Sequence, residues 1–272
     1  MRRLGRLSNG AALAAAFHPM TPSVWPRTLW IVRHGESAGN VARGRANAAG
    51  DAEIKLMARD IDVPLSTLGE RQARALGRWF AEMPEGNRPT AILTSPYGRA
   101  RKTAQIVAER AGLLGAPLIV DERLREKELG ILDRLTTRGV TERFPEQAEL
   151  RTLLGKFYHR PPGGENWCDV VLRLRGVVDT LSRELPGERV LIVGHQVVVN
   201  CMRYVLERMT EEQILAIDRQ GDIFNCSVTS YDLGTDADAR PRLLLKLFNY
   251  VTPIAEAGET ITSEPDAPRA PS

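Results

Sequence analysis

Short apolar runs alternate along this chain with amphipathic segments of helical period. Such alternation is typical of a sheet of mostly parallel strands covered by helices on both sides. We therefore expect an α/β fold, a three-layer α/β/α sandwich around a mostly parallel central sheet. The predicted strands are 29–32, 90–94, 117–120 and 190–193, followed by an alternating pair at 223–233 and 243–250, and the predicted helices are 66–83, 97–111, 165–185 and 197–209.

The two ends of the chain differ from its middle in composition. Residues 1–27 are small, basic and punctuated by proline, and residues 253–272 are rich in Pro, Glu, Thr and Ala. Both compositions predict disordered tails, because neither offers enough large apolar side chains to bury. The apolar part of the N-terminal tail is too weakly hydrophobic to favour a targeting peptide. One domain is expected over residues 28–252.

Composition excludes several classes of function. The net charge of +3, from 37 basic and 34 acidic side chains, is too balanced to predict a nucleic-acid or membrane partner. The three cysteines form no CxxC pair, which argues against a disulfide framework and a structural zinc site and suits the reducing cytoplasm. No apolar run is long enough to span a membrane. The oligomeric state stays open, although the terminal strands could provide an edge for a homodimer.

Polar side chains that can bind phosphate or react with it follow the predicted strands. Arg33 and His34 follow the first strand, Arg99 the second, Glu126 the third and His195 the fourth. Ligands of open parallel sheets bind beyond the carboxyl ends of the strands, so these side chains are expected to converge. A guanidinium can fork onto phosphate oxygens, and an imidazole nitrogen can attack phosphorus. The pattern therefore predicts a phosphoryl-transfer site.

These residues belong to an ordered set of motifs that resembles the histidine phosphatase superfamily, the phosphoglycerate mutase-like proteins. The resemblance covers nearly all of residues 29–250 and implies a phosphoglycerate mutase-like fold. Its motifs are, in chain order, Arg33-His34-Gly35-Glu36 with Asn40; Asp62-Val63-Pro64-Leu65-Ser66 with Gly69 and Gln72-Ala73; Ser95-Pro96 with Arg99 and Thr103-Ala104; Leu124 with Glu126 and Gly130; and Gly194-His195.

The resemblance implies a role for each matching residue. His34 is expected to be the nucleophile that forms a phosphohistidine, and Glu126 to protonate the leaving oxygen and then activate water. Neither step requires a metal or another cofactor, because cationic side chains supply the positive charge. The side chains expected around the phosphoryl group are Arg33, Arg99 and His195, with Asn40 and the Gln196 backbone N–H as further donors.

Several of these residues also fit an interpretation without a catalytic role. Arg99 and Glu126 could be solvated surface charges, and Glu128 competes with Glu126 as the acid because only motif spacing separates them. His195 could be a histidine of the core whose ring nitrogens have hydrogen-bond partners. His159 could line a substrate pocket or lie in a surface loop.

The leading hypothesis is a metal-independent phosphomonoesterase acting on a small phosphorylated metabolite. Only 68 residues separate Glu126 from His195, whereas mutases of the family carry a longer insertion there, so the site should admit water. The alternatives are a cofactor-dependent phosphoglycerate mutase and a non-catalytic phosphate-binding module. The chain departs from both enzyme branches at residues 41–61, which could be a helical flap carrying Arg43, Arg45 or Lys55 towards the substrate or a solvent-facing insertion.

Overall fold

The computed structural model describes residues 25–264 as a mixed α/β sandwich. One six-stranded sheet has the order β3-β2-β4-β1-β5-β6. Its strands are β1 (Thr28–Arg33), β2 (Ala91–Thr94), β3 (Leu118–Val120), β4 (Arg189–Gly194), β5 (Val228–Thr235) and β6 (Pro241–Tyr250). The helices are α1 (Ala38–Ala49), α2 (Thr67–Glu82), α3 (Gly98–Arg110), α4 (Thr137–Arg143), α5 (Pro145–Tyr158), α6 (Trp167–Glu184), α7 (Gln196–Leu206), α8 (Glu211–Gln220) and α9 (Thr252–Glu256).

The register of the parallel strands brings three strand ends to one edge. In the β1–β4 pair Arg33 lies opposite Gly194, and in the β2–β4 pair Thr94 lies opposite Val193. The residues that follow, His34, Ser95 and His195, therefore leave the sheet side by side. The antiparallel pairing of β5 with β1 and with β6 completes the other side of the sheet and confirms the predicted terminal hairpin.

Helices cover both faces of the sheet, as the alternating pattern predicts. On one face α6 and α7 bury Trp167, Leu174 and Val198 against β1 and β4. On the other, α2 and α3 bury Phe80 and Val107. The predicted three-layer sandwich with a mostly parallel sheet is confirmed. Two separate apolar cores hold the central strands from opposite sides, which makes their carboxyl ends a rigid platform for a site.

Side-chain hydrogen bonds fix the start of α2. Ser66 is the N-cap and its Oγ accepts from the Gly69 N–H at 3.0 Å. Glu70 lies one position past N3 and pairs with Arg74 at 2.8 Å. The Ser66 hydroxyl donates to Glu36 at 2.6 Å, which ties the start of α2 to the turn after β1.

The ends of the domain also correct the predicted boundaries. Residues 1–24, most of the predicted N-terminal tail, lie outside the described residues, whereas Trp25 packs against the core and Arg27 hydrogen-bonds to β5 and to Glu188. At the other end the expectation of a disordered tail is wrong for residues 253–264. That segment begins with α9, buries Ile254 and then returns to the sheet edge.

No helix within residues 25–264 combines the length and the apolar character required to cross a bilayer.

Candidate active site

Two buried histidines face each other where β1 and β4 end. The ring centroids of His34 and His195 are 5.1 Å apart and the rings are inclined by 67°. Both side chains are fully buried. The structure thus brings together the two histidines that the sequence places after strands separated by more than 150 residues.

The hydrogen bonds of His34 identify its protonated nitrogen. Nδ1 lies 2.7 Å from the Gly35 carbonyl oxygen, and a carbonyl can only accept, so Nδ1 carries the proton. Nε2 is therefore an acceptor in the neutral ring, and it receives the Arg99 Nε–H at 3.2 Å. This arrangement presents the lone pair of Nε2 to a cationic environment, which is the orientation that nucleophilic attack on an anion requires.

A close backbone contact fixes the turn that carries His34. A Cβ placed on Gly35 would lie 2.4 Å from the Gly69 carbonyl oxygen, and one on Gly69 would lie 1.9 Å from the Glu36 oxygen. The turn is also held by hydrogen bonds from the Gly35 N–H to Thr103 at 3.1 Å and from Asn225 Nδ2 to the His34 oxygen at 3.0 Å. The glycines of the two motifs therefore serve close approach of α2 to the β1 turn.

Two arginines contribute positive charge on the same side. Arg99, in the first turn of α3, is almost fully buried, and its Nη1 contacts Asp60 through the carbonyl oxygen at 2.7 Å and the carboxylate at 2.9 Å. Arg33 is fully buried and donates through Nη1 to the Ile223 oxygen and through Nη2 to the Glu264 oxygen, both at 2.6 Å. Neither arginine is a solvated surface charge.

Asn40 lies on α1 beside Arg33. Its Oδ1 caps the helix by accepting from the Ser37 N–H at 3.0 Å, which directs Nδ2 out of the helix. Nδ2 donates to the Glu264 oxygen at 2.9 Å, the same oxygen that Arg33 binds. The two predicted phosphate donors therefore converge on a single acceptor.

His195 connects the second histidine to the candidate acid. Its Nε2 lies 2.7 Å from Ser95 Oγ, and its Nδ1 lies 4.0 Å from Glu126 Oε2. Glu126 is 5% exposed, whereas the Glu128 side chain is 48% exposed and accepts from the Tyr97 hydroxyl. Burial and the distance from His195 favour Glu126 as the acid, a choice that the sequence leaves open.

Two side chains beside the acids, Lys127 and Tyr97, have shifted pKa values. Burial, with the nearby Arg151, lowers the pKa of Lys127, the neighbour of Glu126, to about 8. The Lys127 N–H donates to Glu126 Oε1 at 2.7 Å and orients the carboxylate. Burial and the adjacent Glu128 and Asp60 carboxylates raise the pKa of Tyr97, so its hydroxyl keeps its proton.

Gln196 begins α7 directly after His195. Its side-chain Nε2 donates to Asp222 at 2.8 Å, while its backbone N–H belongs to the first turn of an 11-residue helix. Unpaired N–H groups at helix N-termini favour anions. The predicted contribution of this N–H remains a prediction.

The insertion at 41–61 is a helix and a loop that line a cleft beside the site. Arg43 is buried and donates to the Leu135 oxygen at 3.2 Å, whereas Arg45 and Lys55 are exposed. Of these three side chains only Arg43 lines the cleft, and the flap interpretation remains a prediction. The charged and amide side chains of the cleft are Asn40, Arg43, Asp60, Arg99, Asp133 and Arg134.

His159 directly follows α5. It is buried, and its Nε2 lies 3.3 Å from Gln147 Oε1. The surface-loop interpretation is therefore wrong, and the pocket interpretation remains a prediction. Among residues 25–264 no group of three or more His, Cys, Asp or Glu side chains is placed to hold a metal ion.

Sequence reasoning missed three residues of the site. Asp60 and Glu264 contact the arginines, and Asn225 holds the His34 oxygen. Asp60 lies within the insertion and Glu264 within the predicted tail, so neither carried a motif. Asn225 follows an apolar residue near β5, and only the position of that strand beside β1 would have pointed to it.

Comparison with known proteins agrees with this geometry. The model of the histidine phosphatase superfamily (branch 1) matches residues 29–242. The chain belongs to this superfamily. The prediction from the motifs is confirmed, and both histidines, both arginines and Glu126 lie within the matched region.

Relatives within the superfamily include phosphatases and a mutase-like protein. The chain is 32% identical over 197 residues to chicken (Gallus gallus) 6-phosphofructo-2-kinase/fructose-2,6-bisphosphatase, a match that covers 72% of this chain and only 36% of that protein. It is 31% identical over 205 residues to a probable phosphoglycerate mutase, GpmB, of Photorhabdus laumondii, covering 75% of this chain and 84% of that one.

Solved structures show the same fold. A mycobacterial glucosyl-3-phosphoglycerate phosphatase in complex with VO3 superposes with a TM-score of 0.60 at 27% identity, covering 82% of this chain and 99% of that one. YhfR of Bacillus stearothermophilus superposes with a TM-score of 0.62 at 28% identity, covering 82% and 98%. Both are similar to this chain over nearly their whole length.

Proposed function

We propose that this protein is a metal-independent phosphomonoesterase that acts through a phosphohistidine on a small phosphorylated metabolite. The observation that carries the proposal is the orientation of His34, whose Nδ1 is committed to a carbonyl while Nε2 faces Arg99. A neutral imidazole held in this tautomer can attack phosphorus without first losing a proton.

The first half of the reaction transfers the phosphoryl group to the enzyme. The Nε2 lone pair of His34 forms a bond to phosphorus while the bond from phosphorus to the ester oxygen breaks. Glu126, protonated at this stage, gives its proton to the departing oxygen. Arg33, Arg99 and Asn40 offset the negative charge on the phosphoryl oxygens, and a protonated His195 would add to them.

The second half returns the enzyme to its starting state. Glu126, now a carboxylate, takes a proton from water as the water oxygen attacks phosphorus. The bond from phosphorus to His34 Nε2 breaks, and inorganic phosphate leaves. The Lys127 backbone N–H orients Glu126, and Glu126 Oε2 lies 4.0 Å from His195 Nδ1. The carboxylate is therefore held beside the reacting phosphoryl group in both halves of the reaction.

Hydrolysis competes with phosphoryl return in this family. The short segment between Glu126 and His195 supports water access, and the similarity to phosphatases supports the same outcome. The similarity to a probable phosphoglycerate mutase keeps mutase activity as the second candidate.

Hydrolysis of p-nitrophenyl phosphate with and without EDTA tests the proposal. We expect hydrolysis that EDTA leaves unchanged. Loss of activity in EDTA would contradict the mechanism, and absence of hydrolysis with retained phosphate binding would favour a binding module. Isomerisation of 3-phosphoglycerate that requires 2,3-bisphosphoglycerate would favour the mutase, and a panel of phosphorylated metabolites would then identify the substrate.

The roles of the two neighbouring acids can be separated by leaving-group chemistry. We expect Glu126→Gln to lower kcat about 10²-fold for glycerol 3-phosphate, whose alkoxide needs a proton as it leaves. For p-nitrophenyl phosphate the loss should be smaller, because nitrophenolate leaves without protonation. Glu128→Gln is the matched control and should change neither rate more than about twofold. Equal losses in the two variants would contradict the assignment.

Asp60 is expected to weaken binding of the anionic substrate. Its carboxylate contacts Arg99 and places a negative charge at the mouth of the cleft. Asp60→Asn keeps an oxygen acceptor for Arg99, and the Asp60 carbonyl contact stays, so we expect KM for p-nitrophenyl phosphate to fall about threefold at low salt. A rise in KM would show that the charge itself positions Arg99.

We also propose a reducing, cytoplasmic location. Cys168, Cys201 and Cys226 are all free thiols, and burial raises the pKa of Cys201 and Cys226 beyond the range in which they react.

A further inference from the structure

The last described residues pass directly over the phosphate-binding donors. After α9 the chain turns back towards the carboxyl ends of the strands as a segment of residues 259–264, the C-terminal strap. The strap ends with the Glu264 carbonyl oxygen 2.6 Å from Arg33 Nη2 and 2.9 Å from Asn40 Nδ2. Arg33 and Asn40, which are proposed to bind phosphate oxygens, therefore bind a main-chain oxygen here instead.

The strap is anchored by polar contacts. Gln72 Nε2 donates to the Thr260 oxygen at 2.8 Å and to Thr262 Oγ1 at 3.0 Å. The Asn225 N–H donates to the Thr262 oxygen at 2.8 Å, and Thr262 Oγ1 donates to Asn225 Oδ1 at 2.9 Å. No side chain of the strap is fully buried, and Ile261 is exposed. Each such hydrogen bond stabilises only weakly in net terms, because water can bond to the same groups, so the strap can detach without loss of core packing.

A phosphoryl oxygen is the stronger acceptor for the same two donors. A guanidinium can bind a phosphoryl group through two parallel charge-assisted hydrogen bonds, which adds energy that one neutral carbonyl oxygen does not supply. The Glu264 carboxylate also lies over α1, where it accepts from Asn47 at 2.8 Å, and it would repel a bound phosphate dianion. The carbonyl and the phosphate therefore exclude each other at this position.

We propose that the C-terminal strap is a built-in competitor of the phosphoryl group, seated on Arg33 and Asn40 in the free protein and displaced when substrate binds. This rests on the proposed function, because it takes these donors to be the phosphate site. With two states, seated and detached, only molecules with a detached strap can bind phosphate at this position. The apparent affinity is therefore the intrinsic affinity multiplied by the fraction of molecules in which the strap is detached. The chemistry at His34 is unaffected once the strap has left.

The test compares three forms of the protein by titration calorimetry with inorganic phosphate. A chain ending at Ile261 removes the Glu264 carbonyl, and Thr262→Val in the full chain removes two anchoring hydrogen bonds. We expect the Kd for phosphate to fall about tenfold in the first and about threefold in the second. Thr141→Val, on an exposed face of α4, is the matched control and should leave the Kd unchanged. In p-nitrophenyl phosphate hydrolysis KM should fall by the same factors, with kcat within about twofold of the wild type.

The outcomes separate this inference from the proposed function. Equal phosphate affinity in the full chain, the shortened chain and Thr262→Val overturns the strap and leaves the phosphatase proposal standing. A loss of kcat in Thr262→Val shows a supporting role and also overturns it. Absence of phosphate binding in every form overturns both. If the shortened chain does not fold, as judged by circular dichroism, Thr262→Val decides, since it keeps the whole chain.

Discussion

Replacing His34 by alanine is expected to lower kcat for p-nitrophenyl phosphate at least about 10³-fold. The substitution removes the protein atom that bonds to phosphorus in the proposed mechanism, while the two arginines, Asn40 and His195 stay in place. Phosphate affinity should therefore change less than about fivefold, because Arg99 keeps its contacts with Asp60 when the ring that its Nε–H also binds is removed. The measurements are steady-state kinetics and calorimetric titration with inorganic phosphate on the same protein.

Thr141→Ala is a suitable control for the effect of a substitution as such, since Thr141 is exposed on α4 and its hydroxyl donates to the Thr137 oxygen of the same helix. It should retain the wild-type rate. If His34→Ala loses no more activity than this control, His34 is not the nucleophile. If it loses phosphate binding together with activity, the ring serves the binding of the anion and the proposed division of roles is wrong.

Gly69→Ala is expected to lower the free energy of unfolding by about 3 kcal/mol and the melting temperature by about 10 °C. An alanine within a helix normally gains up to about 1 kcal/mol over glycine. Here the added Cβ would lie 1.9 Å from the Glu36 carbonyl oxygen, and backbone cannot turn away as a side chain can. The clash therefore outweighs the gain, and urea unfolding followed by circular dichroism measures the result.

The matched control is the same substitution in another helix. A Cβ on Gly176, within α6, meets only the flexible Arg123 side chain, at 3.4 Å. Gly176→Ala should be neutral or slightly stabilising. Because the Glu36 turn carries His34, Gly69→Ala should also lose activity in the fraction that stays folded. Wild-type stability for Gly69→Ala would mean that α2 and the β1 turn are not in this close contact.

Features governed by local pattern could be predicted from the sequence. Apolar runs predict β1 and β4, and amphipathic patterns predict α2 and α6. Parallel pairing of the strands then places His34 and His195 at one edge of the sheet. The motifs supplied the family. The choice between Glu126 and Glu128 needed burial, because both acids lie in one run of charges and their spacing differs by only two residues.

Features that depend on distant partners could not be predicted. The strap has the composition of a disordered tail and is ordered by Gln72 and Asn225, which lie far from it in sequence. Asp60 shows no periodicity and acquires its place only through Arg99.

The central claim is that the phosphoryl group passes through His34, and trapping the phosphoenzyme tests it most directly. The protein is mixed with excess p-nitrophenyl phosphate, quenched within milliseconds in base, where phosphohistidine survives, and digested for mass spectrometry. We predict a gain of one phosphoryl group on the peptide that contains Arg33-His34-Gly35, located on the His34 ring and absent in His34→Ala. Label on another residue, or full turnover with no labelled peptide at any quench time, would contradict the account.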